Sequence, residues 1–252
     1  MSPEFVLAGF VVGALVGLTG MGGGSIMTPL LVLMNVNPLI AVGSDLLSSV
    51  PTRLYGAYLH NASGTVDWEI VKALLLGGVP SAALGLLALW WLRDRFSVEI
   101  VAAWTRPAIG VAVFGSALAL LLQPFDRASL AAGDARRKRL EAIALGAFAG
   151  ASVTMTSIGS GSIVLPLLAL AFPVVRLQTL VGSDIAFAAL LIPIAAAGRW
   201  SMGDVDGPLT LNLLAGSLPG VWIGSRLCAR LQQRWLRPAV ALTLMAVGLR
   251  MV

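Results

Sequence analysis

Apolar positions along this chain run in unbroken blocks rather than alternating, and short polar or glycine-rich stretches separate the blocks. In the first part the blocks cover approximately 5–19, 24–34, 38–59, 68–92 and 103–122; in the second, approximately 141–155, 161–173, 177–198, 208–229 and 235–252. Helix needs about 20 apolar residues to cross a bilayer core, so the last three blocks of each part are expected to be transmembrane helices. The first two, about 15 and 11 residues long, are each too short to cross. Between them lies a glycine-serine break, where a helix in lipid would lose its backbone partners. The pattern predicts an all-α polytopic membrane protein.

Bulk composition agrees and excludes other classes. Hydrophobic residues make up 58% and charged residues 12% of the 252-residue chain, and mean hydropathy is +0.90. A soluble domain carries about 25% charged residues. The stretch from Ile70 to Leu92 is interrupted by a single charge, Lys72. Net charge is +5, but the basic residues sit between apolar blocks: Arg127 and Arg136–Arg137–Lys138–Arg139, then Arg226, Arg230, Arg234 and Arg237. Cytoplasmic loops have that look, so no nucleic-acid partner is expected. Cys228 is the only cysteine, which rules out an intrachain disulfide and a zinc site built on paired cysteines. No metal and no cofactor is expected. No basic region precedes the first block, so no cleaved signal peptide is expected. The absence of a Walker A loop argues against built-in ATP hydrolysis.

The chain repeats itself. Residues 19–31 (Thr-Gly-Met-Gly-Gly-Gly-Ser-Ile-Met-Thr-Pro-Leu-Leu) match residues 156–168 (Thr-Ser-Ile-Gly-Ser-Gly-Ser-Ile-Val-Leu-Pro-Leu-Leu) at eight of thirteen positions, 137 apart. Val42-Gly43-Ser44-Asp45 returns unchanged as Val181-Gly182-Ser183-Asp184, 139 apart. The same spacing carries Gly64, Val66 and Asp67 onto Gly203, Val205 and Asp206, Pro80 onto Pro219, and Gly85 onto Gly224. Trp104, Arg106 and Pro107 match Trp235, Arg237 and Pro238 after a shortened connection. Residues 1–122 form a first membrane repeat, 123–140 a basic linker, and 141–252 a second repeat.

Charge placement chooses between two topologies. If each short pair counts as one crossing, the 123–140 and 226–237 loops fall on opposite faces; if it enters and returns as a hairpin, or makes two thin crossings, both are cytoplasmic, as the positive-inside rule requires. The hairpin is therefore expected. Each repeat then holds a short broken hairpin plus three long helices, an odd number, so the two repeats have inverted topology.

Inverted repeats with interrupted helices are the architecture of secondary transporters, whose breaks meet near the midplane. A helix that starts inside the membrane has up to four N–H groups without intrahelical partners and a partial positive charge. Gly22, Gly23, Gly24 and Ser25, with Thr19 before them, and Gly159, Ser160, Gly161 and Ser162, with Thr156 before them, would present such donors to a small anion. Close helix packing is the competing reason for glycines there. Ser44–Asp45 and Ser183–Asp184 come next, because carboxylates in apolar segments are costly and tend to be functional; capping of a helix start competes. His60 and Arg199 occupy matching positions at segment ends. They read either as a cationic gate or coupling pair, or as helix-end residues reaching headgroups or capping carbonyls. Arg53, inside segment 38–59, is a further candidate for gating or coupling, since its charge must find a partner or water; a helix–helix contact with one of the Asp residues competes. Trp90, Trp91, Trp104, Trp200 and Trp235 fall at segment ends, as interfacial aromatics do.

The paired Gly-Gly-Gly-Ser-x3-Pro (22–29) and Gly-Ser-Gly-Ser-x3-Pro (159–166), each followed by Val-Gly-Ser-Asp, resemble the TauE/SafE family of sulfite and organosulfonate exporters. So does the turn at 64–67 with its echo at 203–206. The resemblance covers nearly the whole chain. It implies a multi-pass permease of the bacterial cytoplasmic (inner) membrane that moves small sulfur-containing anions outward, with the glycine-serine breaks and the two Ser-Asp pairs as substrate region. The second break departs from the first, with Ser160 for Gly23 and Ser157 for Gly20, so the halves need not contact substrate equally. The expected partners are the small anion and the lipid bilayer, and a homo-oligomer is left open. Two alternatives remain: an anion channel on the same fold, and an intramembrane aspartyl protease using Asp45 and Asp184. The protease is disfavoured because the carboxylates follow Gly-Ser rather than Gly-x-Gly.

Overall fold

The structure, a computed structural model, describes residues 2–19, 24–121, 135–159, 161–172 and 174–228. These residues form nine helices: α1 (Pro3–Thr19), α2 (Gly24–Leu33), α3 (Pro38–Ala62), α4 (Trp68–Arg95), α5 (Val98–Leu121), α6 (Ala135–Thr156), α7 (Val164–Ala171), α8 (Leu177–Ser201) and α9 (Gly207–Cys228). The linker residues 123–134, most of the 226–237 loop and the block 235–252 lie outside the described residues.

Helix starts follow local chemistry. Asn37 accepts a hydrogen bond from the Leu39 N–H at 2.9 Å, with Pro38 at the first helical position. Asp67 caps α4 through the N–H groups of Glu69 and Ile70, and Asp206 caps α9 through that of Leu209 at 2.8 Å. One boundary differs from the expectation. α6 begins at Ala135, so residues 135–140 are helix rather than linker. Ala, Arg, Lys and Leu are strong helix formers, and Arg137 pairs with Glu141 one turn on at 2.9 Å.

Lengths and exposure are those of a membrane protein. α4, α5 over residues 98–115, and α8 from Gln178 are long and apolar enough to cross a bilayer. Large apolar side chains point outward all around, among them Leu84, Trp90, Trp104 and Leu211, each more than 60% exposed. A surface of that kind suits lipid and not water.

Glycines set how the helices cross. A Cβ at Gly77 of α4 would run into the Ile143 carbonyl of α6, and one at Gly146 into the Leu74 carbonyl. The same seam recurs between α9 and α1: Gly216 meets the Val6 carbonyl and Gly9 the Leu213 carbonyl. These contacts are offset by the spacings of 137 and 139 that relate the two parts of the sequence. Side-chain-free faces let helix backbones touch in lipid, where apolar burial alone provides no drive to associate. α3 and α8 pack on each other at the centre and carry the Ser-Asp motifs.

Candidate functional site: a polar centre where the two breaks meet

The start of α2 lies against the segment just after α6. A Cβ on Gly24 would overlap the Ser157 carbonyl oxygen, so the first break touches the second. Ser157 sits in the left-handed region (φ 61°), which is costly for a residue with a side chain. Its hydroxyl explains why it stays there: it donates to Asp45 Oδ2 at 2.8 Å, and Thr28 of α2 donates to the same oxygen at 2.7 Å. Asp45 is 2% exposed. One carboxylate oxygen on α3 thus holds α2 and the second break together by charge-assisted bonds.

Asp184 occupies the matching place on α8 and is equally buried, yet its surroundings differ. Its carboxylate is bonded by the backbone N–H of Gly161, whose φ of 82° favours glycine. Its Oδ1 is buried with no hydrogen-bond partner among the described residues. Sequence explains the difference. The positions that correspond to Thr28 and Ser157 are Leu165 and Gly20, neither of which bears a hydroxyl.

Arg53 supplies the cation. It lies eight residues, about 12 Å of helical rise, beyond Asp45 on α3, and its side chain leans back toward the helix start. The residue is partly accessible and its charge is felt by both Asp184 and Asp45, more by Asp184. Among the described residues it makes no hydrogen bond and no ion pair within 4 Å. Ile192 stands at its counterpart position. The centre therefore has one cation facing two carboxylates, and one of those carboxylates is incompletely bonded.

At the second break a short turn precedes the helix. α7 starts at Val164; the N–H groups of Ile163 and Val164 both donate to the Gly159 carbonyl, at 3.2 and 3.0 Å, while that of Gly161 serves Asp184. A short turn over 161–163 uses these donors before the helix begins. Thr156 likewise finishes α6, its hydroxyl donating to the Ser152 carbonyl at 2.7 Å and accepting from the Ile158 N–H at 3.2 Å. Ser25 and Ser162 are buried. Gly22, Gly23, Ser160 and the side chain of Thr19 lie outside the described residues.

The Ser-Asp pairs do not cap their own helices, since both lie well inside α3 and α8. Their serines join the two parts of the chain. Ser44 Oγ accepts from the Asp206 N–H at 3.0 Å, and Ser183 Oγ from the Asp67 N–H at 2.9 Å. Beside them, a Cβ on Gly43 would strike the Asp204 carbonyl, and one on Gly182 the Thr65 carbonyl. Each motif is seated on the glycine turn of the opposite part, and the serines are used for that.

Arg199 is fully buried and does not reach headgroups. It donates to the carbonyls of Thr154 (2.8 Å) and Met155 (3.0 Å) and pairs with Asp204 at 2.9 Å. The last carbonyls of α6 lack intrahelical partners and carry the negative end of the helix dipole; Arg199 satisfies them beside the break. Asp204 also pairs with Arg93 of α4. His60 holds the corresponding place with a neutral version, Nδ1 and Thr65 Oγ1 lying 2.8 Å apart. It stays in its own turn. An apolar cleft between α4 and α5, lined by Leu89, Phe96, Val101 and Trp104, has no charge to offer an anion.

The family model described as "Sulfite exporter TauE/SafE" matches residues 5–251. The chain belongs to the TauE/SafE family. It is 38% identical over 259 residues, the full length of both chains, to "Probable membrane transporter protein YjnA" of Bacillus subtilis (strain 168). It is 26% identical to "Probable membrane transporter protein YdhB" of the same organism, over 97% of each chain. A "Probable membrane transporter protein" of Xylella fastidiosa (strain 9a5c) is 34% identical over 34% of this chain. No solved structure matches it.

TauE/SafE proteins are membrane transporters and not enzymes, so Asp45 and Asp184 are no proteolytic pair. In this TauE/SafE chain, sequence reasoning passed over Thr28, Arg93 and Asp204, and noted Ser157 only as a departure of the second break from the first. Ser157 and Thr28 had a signal, since both break the repeat at positions where the other part carries no hydroxyl. Asp204 had one as well: a cation within an apolar helix, Arg199, needs an anion nearby, and Asp204 is the first acid after it.

Proposed function

We propose that this protein is a secondary transporter that carries small sulfur-containing anions, sulfite or an organosulfonate, out of a bacterial cell across the cytoplasmic membrane. The two repeats, of inverted topology, rock against each other around the point where the breaks meet, and the basic 123–140 and 226–237 loops face the cytoplasm. The observation that carries the reading is Arg53: a guanidinium inside the bundle without a hydrogen-bond partner among the described residues, within electrostatic reach of two carboxylates that are both bonded to the second break, one of them also to Thr28 of α2. A planar guanidinium matches the geometry of sulfite and sulfonate oxygens. The start of α2 at Gly24 adds the positive end of a helix dipole. The family's description, sulfite exporter, supports the substrate class, and the names of the relatives support transport.

Export needs little machinery. In a cell with a negative interior, 100 mV favours the exit of each net negative charge by about 2.3 kcal/mol. The test is flux in liposomes containing the purified protein. Sulfite is expected to move with saturable kinetics while choline does not; preferential movement of choline would remove the proposal. Single-channel conductance steps would replace the carrier with a channel.

A further inference from the structure

We infer that Asp184 carries a proton that binds together with the anion, whereas Asp45 is a fixed structural carboxylate; this rests on the transport reading above. Asp184 behaves as a resident stand-in for the substrate. Its carboxylate takes the Gly161 N–H and the larger share of the Arg53 field, two groups an oxyanion at the breaks would need. An arriving anion competes for both and adds negative charge beside two carboxylates that share one cation. A proton from solvent relieves this: it forms an O–H bond on Asp184, neutralises the carboxylate, and releases the Gly161 N–H and Arg53 to the anion. No electrons move.

The same step on Asp45 is opposed by its surroundings. Thr28 and Ser157 both donate to Oδ2, and two hydroxyl donors on one oxygen hold the ionised form. Asp184 has the opposite arrangement, an oxygen buried without any donor among the described residues, where a proton displaces no bond. Such an oxygen is costly as a bare acceptor. The charges around Asp184 support the assignment. Among the helices packed on α8, α3 presents Arg53 and, beyond it, Asp45; α7 carries no titratable residue. The charges of α4 and α6 lie toward their ends, where Arg93 pairs with Asp204 and Arg137 with Glu141. Arg199 is committed to Asp204. Among the described residues, Asp184 is the carboxylate of the centre that has an oxygen left unbonded.

Sulfoacetate is the probe, because it has no group that titrates between pH 6 and 8. Purified protein in lipid nanodiscs, weakly buffered near pH 7, receives sulfoacetate while a pH indicator counts protons taken up per anion bound. The wild type is expected to take up about one proton per anion, with an affinity falling about tenfold per pH unit once Asp184 is ionised in the free protein. For Asp184→Asn the protons per bound anion fall to none and the affinity becomes independent of pH. Leu165→Thr provides a second route. It offers Asp184 the hydroxyl that Thr28 gives Asp45, and is expected to lower proton uptake without removing the carboxylate. Binding by the wild type without proton uptake, or the same uptake in Asp184→Asn, overturns the inference and leaves transport standing. If the wild type neither binds nor moves sulfite or sulfoacetate, the transport reading fails and the inference with it.

Discussion

Replacing Ser157 separates two opposing effects that meet at one residue. Its hydroxyl donates to a buried carboxylate oxygen at 2.8 Å, and a hydrogen bond to a charged group contributes roughly 1.5–3 kcal/mol. Its backbone lies at φ 61°, a region that costs a residue with a Cβ about 1 kcal/mol relative to glycine. Ser157→Ala loses the bond and keeps the strain, for a net loss of about 2 kcal/mol. Ser157→Gly loses the same bond but relieves the strain, so its loss is about 1 kcal/mol. For a chain of this size each kcal/mol shifts the midpoint by about 3 °C. Thermal unfolding in nanodiscs, followed by tryptophan fluorescence, should therefore order wild type, Gly and Ala at intervals of about 3 °C. Adding Thr28→Val to Ser157→Ala strips both donors from Asp45 and should cost more than the two changes taken singly, because the remaining donor is what still satisfies the oxygen. An alanine variant as stable as wild type, or a glycine variant less stable than alanine, would refute the account of Asp45 as a clamp across the two breaks.

Three other outcomes follow from the same contacts. Asp204→Ala leaves Arg199 buried without its counter-ion and should lower stability by about 3–5 kcal/mol; Arg93→Met, at a side chain 18% exposed, should cost clearly less when both are melted side by side. Gly77→Val and Gly216→Val each force a side chain into a facing carbonyl, and the matched seams predict similar losses of at least 1–3 kcal/mol; a large loss at one seam with none at the other counts against their equivalence. Arg53→Gln removes the centre's cation and should reduce sulfite flux by roughly a hundredfold in liposomes while the protein still elutes as a folded species.

Much of this was legible in the sequence because lipid leaves few options. The blocks beginning near 38, 68 and 177 became α3, α4 and α8 within a residue, since caps at Asn37 and Asp67 stand directly ahead of two of them. The short blocks ended at the glycine-serine breaks as expected. Trp90, Trp104 and Trp200 are exposed, in keeping with interfacial positions. What the pattern did not show was the partner of each donor. Of the amides in the 159–162 stretch, that of Gly161 serves Asp184, and those of Ile163 and Val164 just after it fold onto the Gly159 carbonyl. Ser44 and Ser183 each bond a turn from the opposite part of the chain, partners that no local pattern shows.

The sequence alone determined what depends on local pattern: helix wherever an apolar block must satisfy its own backbone in lipid, a break wherever glycine and serine interrupt it, and family membership through motifs repeated in order. Tertiary structure decided which groups are paired. Ser157 reaches Asp45 across 112 residues, and Arg199 finds the α6 carbonyls 44 and 45 residues away. Such partners are set by helix crossings in space, which no periodicity records. The duplicated sequence also hides how unequal its halves are, because two carboxylates in identical Gly-Ser-Asp motifs differ only through neighbours brought to them by the fold: Asp45 is given two hydroxyls, and Asp184 keeps an oxygen with none.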